Sequence, residues 1–126
     1  MGTKKKINSR QKGAAGEREF ANLLKTYGIE ARRGQQFSGG KESPDVISDL
    51  PIHWEVKRVQ KLDIHDAMAQ AMRDAGNANM PVVAHRVNGK KWLVTMDAEM
   101  FIVFLATIRE CIPALNAPEL KPVRDL

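Results

Sequence analysis

Apolar residues along this chain recur at two different periods, and the switches between them mark out its elements. Phe20, Leu23, Leu24 and Tyr27 follow the i, i+3, i+4, i+7 spacing of one helical face. That spacing predicts a helix over residues 14–27, stopped by Gly28. Residues 29–33, 45–48 and 52–59 read as short strands, the last two joined by Asp49-Leu50-Pro51 as a hairpin turn. Asp63 reads as the N-cap of a second helix, with Ile64, Ala67, Met68, Ala71, Met72 and Ala75 in register and Gly76-Asn77-Ala78-Asn79 ending it. Residues 81–87 and 91–96 form two further strands around Asn88-Gly89, a strong hairpin signal. Asp97 can cap a last helix reaching about residue 112. Its stretch 101–108 is apolar on nearly every side, more than one helix face in a small domain can bury, so a second subunit is expected to cover it. The order α-β-β-β-α-β-β-α is that of an α/β fold.

The same pattern divides the chain. Residues 1–12 hold Lys4, Lys5, Lys6, Arg10 and Lys12 with almost no apolar content, which predicts a basic arm. Two readings of it stand side by side, a solubilising tail and a phosphate-binding arm. Residues 13–112 read as one domain, and 113–126, with three prolines, as a loosely held tail.

Charged residues in places where the pattern asks for apolar ones carry the chemistry. Glu17 lies three residues before Phe20 and seven before Leu24, so it falls near the apolar stripe, whereas Glu19 points away from it. An inward carboxylate needs a partner. Glu17 reads either as a first-turn acid complementing the helix dipole or as an acidic group of a metal site. Further on, Asp45 follows Pro44 in one strand and Glu55-Val56-Lys57 lies in the next. Side chains alternate along a strand, so Glu55 and Lys57 share a face while Trp54 and Val56 point to the other. Two carboxylates and an ammonium then converge on one spot. Oxygen ligands of this kind suit Mg²⁺ or Mn²⁺ rather than zinc. The polar, glycine-bearing stretch 34–43 directly before Pro44-Asp45 is a loop that lets backbone approach phosphate.

Other candidates read as ordinary residues. Gln70 projects to the side of its helix stripe and is a surface residue first. His53, His65 and His85 share no metal-ligand spacing and read as surface or packing residues. Cys111, the only cysteine, lies in an apolar segment and reads as inert core; it excludes an internal disulfide framework.

Composition adds the partner. A chain of 126 residues with 43% hydrophobic content suffices for one domain with a core. The net charge of +5 and the pI near 9.6 fit a polyanionic substrate, with Lys and Arg holding phosphates while carboxylates hold metal. The basic start lacks the apolar run of a secretory signal, and no segment reaches the roughly 18 apolar residues of a membrane span. A cytoplasmic protein is expected, with no membrane partner.

Three stretches together resemble a known family: Lys12-Gly13-Ala14-Ala15-Gly16-Glu17-Arg18-Glu19-Phe20, then Arg33 through Ser38-Gly39-Gly40 to Pro44-Asp45-Val46-Ile47, and then Glu55-Val56-Lys57. The chain is similar to the PD-(D/E)xK nuclease superfamily and, within it, to Holliday junction resolvases of archaeal and phage type. The resemblance covers about residues 12–96. It implies a restriction-endonuclease-like core, a central mixed β-sheet flanked by helices. It implies divalent metal bound by Glu17, Asp45, Glu55 and the main-chain carbonyl of Val56, with Mg²⁺ the expected ion and Mn²⁺ its substitute. Lys57 would orient or activate the attacking water; neighbouring carboxylates keep it charged, so positioning water and stabilising charge fit better than free-base action. Ser38 matches a serine beside the family's site. Lys12, Arg18, Arg33, Lys41, Arg58 and Lys61 join Ser38 as expected DNA contacts. The implied activity is a homodimeric, structure-selective DNA endonuclease in recombination and repair, bacterial, archaeal or phage-encoded, with no small-molecule cofactor beyond metal. Two alternatives remain open: a phage or mobile-element nuclease acting on duplex or flap DNA, and a catalytically silent DNA-binding module.

Overall fold

The structure, a computed structural model, describes residues 9–34 and 44–112. They form α1 (Ser9–Thr26), β1 (Ala31–Arg33), β2 (Val46–Ser48), β3 (Ile52–Arg58), α2 (Ile64–Ala75), β4 (Met80–Arg86), β5 (Leu93–Thr95) and α3 (Ala98–Cys111). The chain divides into two compact units at Met96/Asp97, a boundary inside the span 13–112 that the sequence pattern reads as one domain.

The first unit is a mixed sheet in the order β1-β2-β3-β4-β5. β1, β2 and β3 pair antiparallel, β3 and β4 pair parallel over seven residues, and β5 closes antiparallel. A parallel pair needs a crossover, and α2 supplies it. The Asp63 carboxylate accepts a hydrogen bond from the Asp66 N–H at 3.0 Å, and Gly76 ends α2 at φ 57°, so both termini of that helix are set locally.

Strand alternation assigns the two faces of the sheet. Trp54, Val56, Val46, Val82 and Ala84 pack with Phe20, Ala21 and Leu24 of α1. Phe20 lies between Trp54 and Trp92, with ring centroids 5.0 and 5.1 Å apart. Val83, of opposite parity, packs with Ala67 and Ala71 of α2, whose small side chains bring that helix close. The sheet is thus an α/β layer covered on both faces, the restriction-endonuclease-like architecture, and its centre is β3 beside β4.

Several expectations are corrected. α1 starts at Ser9 rather than near residue 14, carried by helix-favouring Arg, Gln and Lys rather than by an apolar stripe. Tyr27 and Met72 are exposed, not core: α1 ends at Thr26, one residue short of Tyr27, and Met72 turns off the buried Ala67–Ala71–Ala75 line. Glu19, off the apolar stripe as the spacing predicts, is nonetheless engaged by polar partners. It accepts from Trp92 Nε1 at 2.9 Å, pairs with Arg86, and lies 3.5 Å from Arg58 Nε.

α3 belongs to the second unit. Asp97 caps it by accepting from the Met100 N–H at 3.0 Å. No residue of α3 is buried; Phe101, Ile102, Val103, Phe104 and Leu105 are all exposed, and so is Cys111, which is therefore not core. No described helix is long and apolar enough to cross a membrane.

Gly34 fixes where β1 leaves the sheet. Its N–H donates to the Asp45 carbonyl at 2.9 Å, and a Cβ there would come within 2.1 Å of the Pro44 carbonyl oxygen. That oxygen is backbone and cannot step aside like a side chain. Gly34→Ala should therefore destabilise the fold by about 1–3 kcal/mol, read as a lower urea midpoint. An unchanged midpoint would show that the contact is not constraining.

Candidate active site

Val56 begins the site. Asp45 donates its backbone N–H to the Trp54 carbonyl at 2.9 Å, so Trp54 turns its polar backbone groups toward β2. By alternation Val56 does the same. Its N–H finds no backbone ladder partner there, and the Asp45 carboxylate takes that place, accepting through Oδ2 at 2.8 Å. The Asp45 side chain is thereby pinned between β2 and β3, and the Val56 carbonyl faces the same gap.

Glu55, on the α2 face, is 3% exposed and shares a hydrogen bond with Asp45. Burial, then the Asp45 charge, push its pKa up to about 8, against the opposing charge of Lys57. Two carboxylates in such contact need a proton or a cation between them. Lys57 Nζ lies 3.8 Å from Glu55 Oε1 and donates to Gln70 Oε1 at 3.4 Å. Gln70 is thus drawn into the site.

Glu17 approaches from the opposite face, one turn before Phe20 and Ala21 on the buried side of α1. With the helix beginning at Ser9, Glu17 sits in mid-helix and not in a first turn, which removes the dipole reading. It is 7% exposed and held by Arg33, Nε to Oε2 at 2.5 Å. Burial raises the Glu17 pKa and the Arg33 hydrogen bond opposes the rise; the Asp45 charge adds to it. Asp45 is the common member, in the field of Glu17 on one side and of Glu55 on the other. Gly16 lets α1 lie this close, since a Cβ there would come within 3.0 Å of Arg58 Cβ.

The predicted DNA contacts fall in different places. Arg18 and Lys61 are exposed. Arg33 is tied to Glu17 and Arg58 is drawn to Glu19. Ser38 and Lys41 lie outside the described residues, as does the side chain of Lys12. His65 is exposed, and His85 Nε2 lies 2.8 Å from Thr95 Oγ1. A cavity of about 610 Å³ lies elsewhere, lined by Lys25, Ile29, Arg32 and Asp49 among others, and contains none of the acidic cluster.

Sequence reasoning missed two residues on the α2 face. His53 is 2% exposed, on the same strand face as Glu55, and burial lowers its pKa. Asp74, partly buried, lies near both. A signal for Asp74 existed: it follows Ala67 by seven and Ala71 by three, a carboxylate on an apolar stripe, just as Glu17 is.

The donor set fits a hard divalent cation: buried carboxylates of Asp45 and Glu55, a main-chain carbonyl facing the same gap, and Glu17 in the field of Asp45. Among solved structures, the chain is similar to Hjc from Archaeoglobus fulgidus, a Holliday junction resolvase from an archaeal hyperthermophile. The identity is 22% over 68% of this chain and 72% of that chain, with a TM-score of 0.50. The likeness establishes a shared fold. No family model matches the sequence, and no curated protein does.

A pH test follows from Glu55. Its folded pKa of about 8 lies above the ordinary 4.5, so between those values the folded chain keeps a proton that the unfolded chain releases. This contribution to stability is complete below the unfolded pKa and is lost as pH rises through the folded one. In chelator, Glu55→Gln should therefore raise the melting temperature above wild type by several degrees at pH near 9, and by much less at pH near 5. Parallel melting profiles for the two proteins would refute the assignment.

Proposed function

We propose that this chain is a divalent-metal-dependent, structure-selective DNA endonuclease that resolves four-way junctions. The observation that carries the reading is the Asp45–Glu55–Lys57 cluster, with Asp45 pinned by the Val56 N–H and facing Glu17, on a fold shared with a junction resolvase. A net charge of +5 suits DNA.

Asp45, Glu55, the Val56 carbonyl and Glu17 would hold Mg²⁺, with Mn²⁺ able to replace it. When bound, the ion would lower the pKa of a coordinated water and offset charge building on the phosphoryl group. The chain's own residues do the rest. Asp45 is oriented by a main-chain donor and cannot swing away. Lys57, steered by Gln70, places an ammonium where it can orient the attacking water and offset phosphate charge. Arg33 keeps Glu17 aimed at the site. Arg18 and Lys61 are free to contact the DNA backbone, as Lys12, Ser38 and Lys41 would be.

Asp45→Asn and Glu55→Gln should reduce cleavage to background while DNA binding stays at wild-type strength or tightens, because a metal ligand is lost and the basic surface is kept. The assay is purified protein with Mg²⁺ on matched labelled junction, flap, nicked and linear DNA, beside gel-shift titrations. Wild-type cleavage by either variant would overturn the site. Equal cleavage of linear duplex and junction would instead favour a phage or mobile-element nuclease acting on duplex or flap DNA. Binding without any cleavage would favour a silent DNA-binding module.

Symmetric resolution needs two sites in fixed relation, which a two-fold dimer supplies. The exposed segment 101–105 of α3 is a candidate for its contact, an apolar surface of the kind that marks interfaces. Light scattering at micromolar concentration should give twice the monomer mass of 14.1 kDa. A monomer, both alone and with junction DNA, would count against the dimer and the resolvase reading together.

A further inference from the structure

β3 and α2 face each other as two rungs. On β3, His53, Glu55 and Lys57 occupy alternate positions on one face, and on α2, Gln70 and Asp74 stand one turn apart. Lys57 meets Gln70 at one end. At the other end, ligand-capable atoms of His53, Glu55 and Asp74 all lie within 4.8 Å of one another.

His53 is the unexplained member. Its side chain is 3% exposed, and its Nε2 has no hydrogen-bond partner among the described residues. Glu55 Oε2 is 3.9 Å away, beyond hydrogen-bond reach. A buried ring nitrogen without a partner is costly. A carboxylate oxygen from each of Glu55 and Asp74 lies within 4.8 Å of a ring nitrogen of His53, a spacing that leaves room for an ion. Ligand atoms around a tetrahedral Zn²⁺ stand about 3.3 Å apart, as bond lengths near 2.0–2.1 Å require. From separations of at most 4.8 Å, the side chains of Glu55 and Asp74 need close the gap by no more than about 1.5 Å.

We propose that His53, Glu55 and Asp74 form a second metal site, for a divalent transition-metal ion such as Zn²⁺ or Co²⁺. One imidazole nitrogen and two carboxylates suit these ions, whereas Mg²⁺ prefers oxygen donors and retained waters. Glu55 joins this site to the Asp45 side. Its Oε2 faces His53 and its Oε1 faces Lys57, so one carboxylate can serve both sides at once. The proposal stands on these three residues and does not require the nuclease reading. Occupancy would nonetheless set the position and charge of Glu55, and through it any Mg²⁺ bound with Asp45.

The test uses the full chain, stripped with chelator and titrated with Co²⁺ while its visible d–d absorption is followed, with Mg²⁺ in excess. One Co²⁺ per chain is expected, in a site of fewer than six ligands, undisplaced by Mg²⁺. Asp74→Asn and His53→Gln should each weaken binding beyond the roughly 10–100-fold that loss of an outer-shell partner costs, while Asp45→Asn retains it. Asp74 is only partly buried, so Asp74→Asn remains informative if His53→Gln fails to fold, and melting curves identify that case. Wild-type Co²⁺ affinity in Asp74→Asn would overturn the proposal. So would loss of binding in Asp45→Asn alone, which would place the ion among the proposed nuclease carboxylates. None of these readouts depends on cleavage, so the nuclease reading can fail while this site survives, and the reverse.

Discussion

One hydrogen bond organises this site: the Val56 N–H to Asp45 Oδ2 at 2.8 Å. In a regular antiparallel pair that N–H would be answered by a carbonyl of β2. Here β2 and β3 are in register only at Val46 and Trp54, and beyond that point a carboxylate replaces the backbone acceptor. The substitution satisfies a buried donor that would otherwise cost 1–3 kcal/mol or so. It also holds an anion inside a sheet, which is tolerable only if the charge is shared. Glu55, held protonated to about pH 8 beside it, shares that charge in the absence of metal. Stability and the proposed ion binding would therefore be two sides of one arrangement: the pair that carries the repulsion is the pair a bound cation would relieve.

The sheet also decides which charges can meet. Glu17 comes from the α1 face and Glu55 from the α2 face, and strand parity keeps them apart everywhere except at the gap between β2 and β3. Asp45 occupies that gap. Each helix therefore contributes on its own side, Glu17 from α1, paired with Arg33 of β1, and Gln70 and Asp74 from α2. The glycines work to the same end. Gly16 sets how near α1 can lie, and Gly34 sets how near the end of β1 approaches Pro44 and Asp45.

Much of this was legible in the chain, because its local signals are strong. Asp63 and Asp97 cap helices where their spacing places them, and Asn88-Gly89 turns a hairpin. Alternation around Glu55 assigns Trp54 and Val56 to the α1 core. What escaped depends on tertiary register. Residues 9–12 have no apolar period, so nothing announces the early start of α1. Glu19 points off the apolar stripe, yet it is engaged because Arg58, Arg86 and Trp92 come from strands and a loop whose positions no helical wheel contains. His53 has no ligand partner at a fixed sequence spacing, because its neighbour Asp74 lies on another element and meets it only across the β3–α2 contact.

Asp74 and Glu17 show where the sequence argument could have gone further. Both are carboxylates on the apolar stripe of a helix packed against the sheet, and the reasoning that flagged one applies equally to the other. An inward acid on such a stripe is tolerated only opposite a cation, a hydrogen-bond donor or a metal. Glu17 has Arg33 at 2.5 Å. Asp74 has beside it Glu55, which its negative charge disfavours ionising, and His53, which its charge helps to protonate although burial prevails. Among the described residues nothing cationic answers Asp74 at that point. The difference between the two acids is thus a difference in what completes them: for Glu17 the fold supplies a guanidinium, and for Asp74 it supplies a nearby imidazole that, in the site proposed above, would share a cation with it.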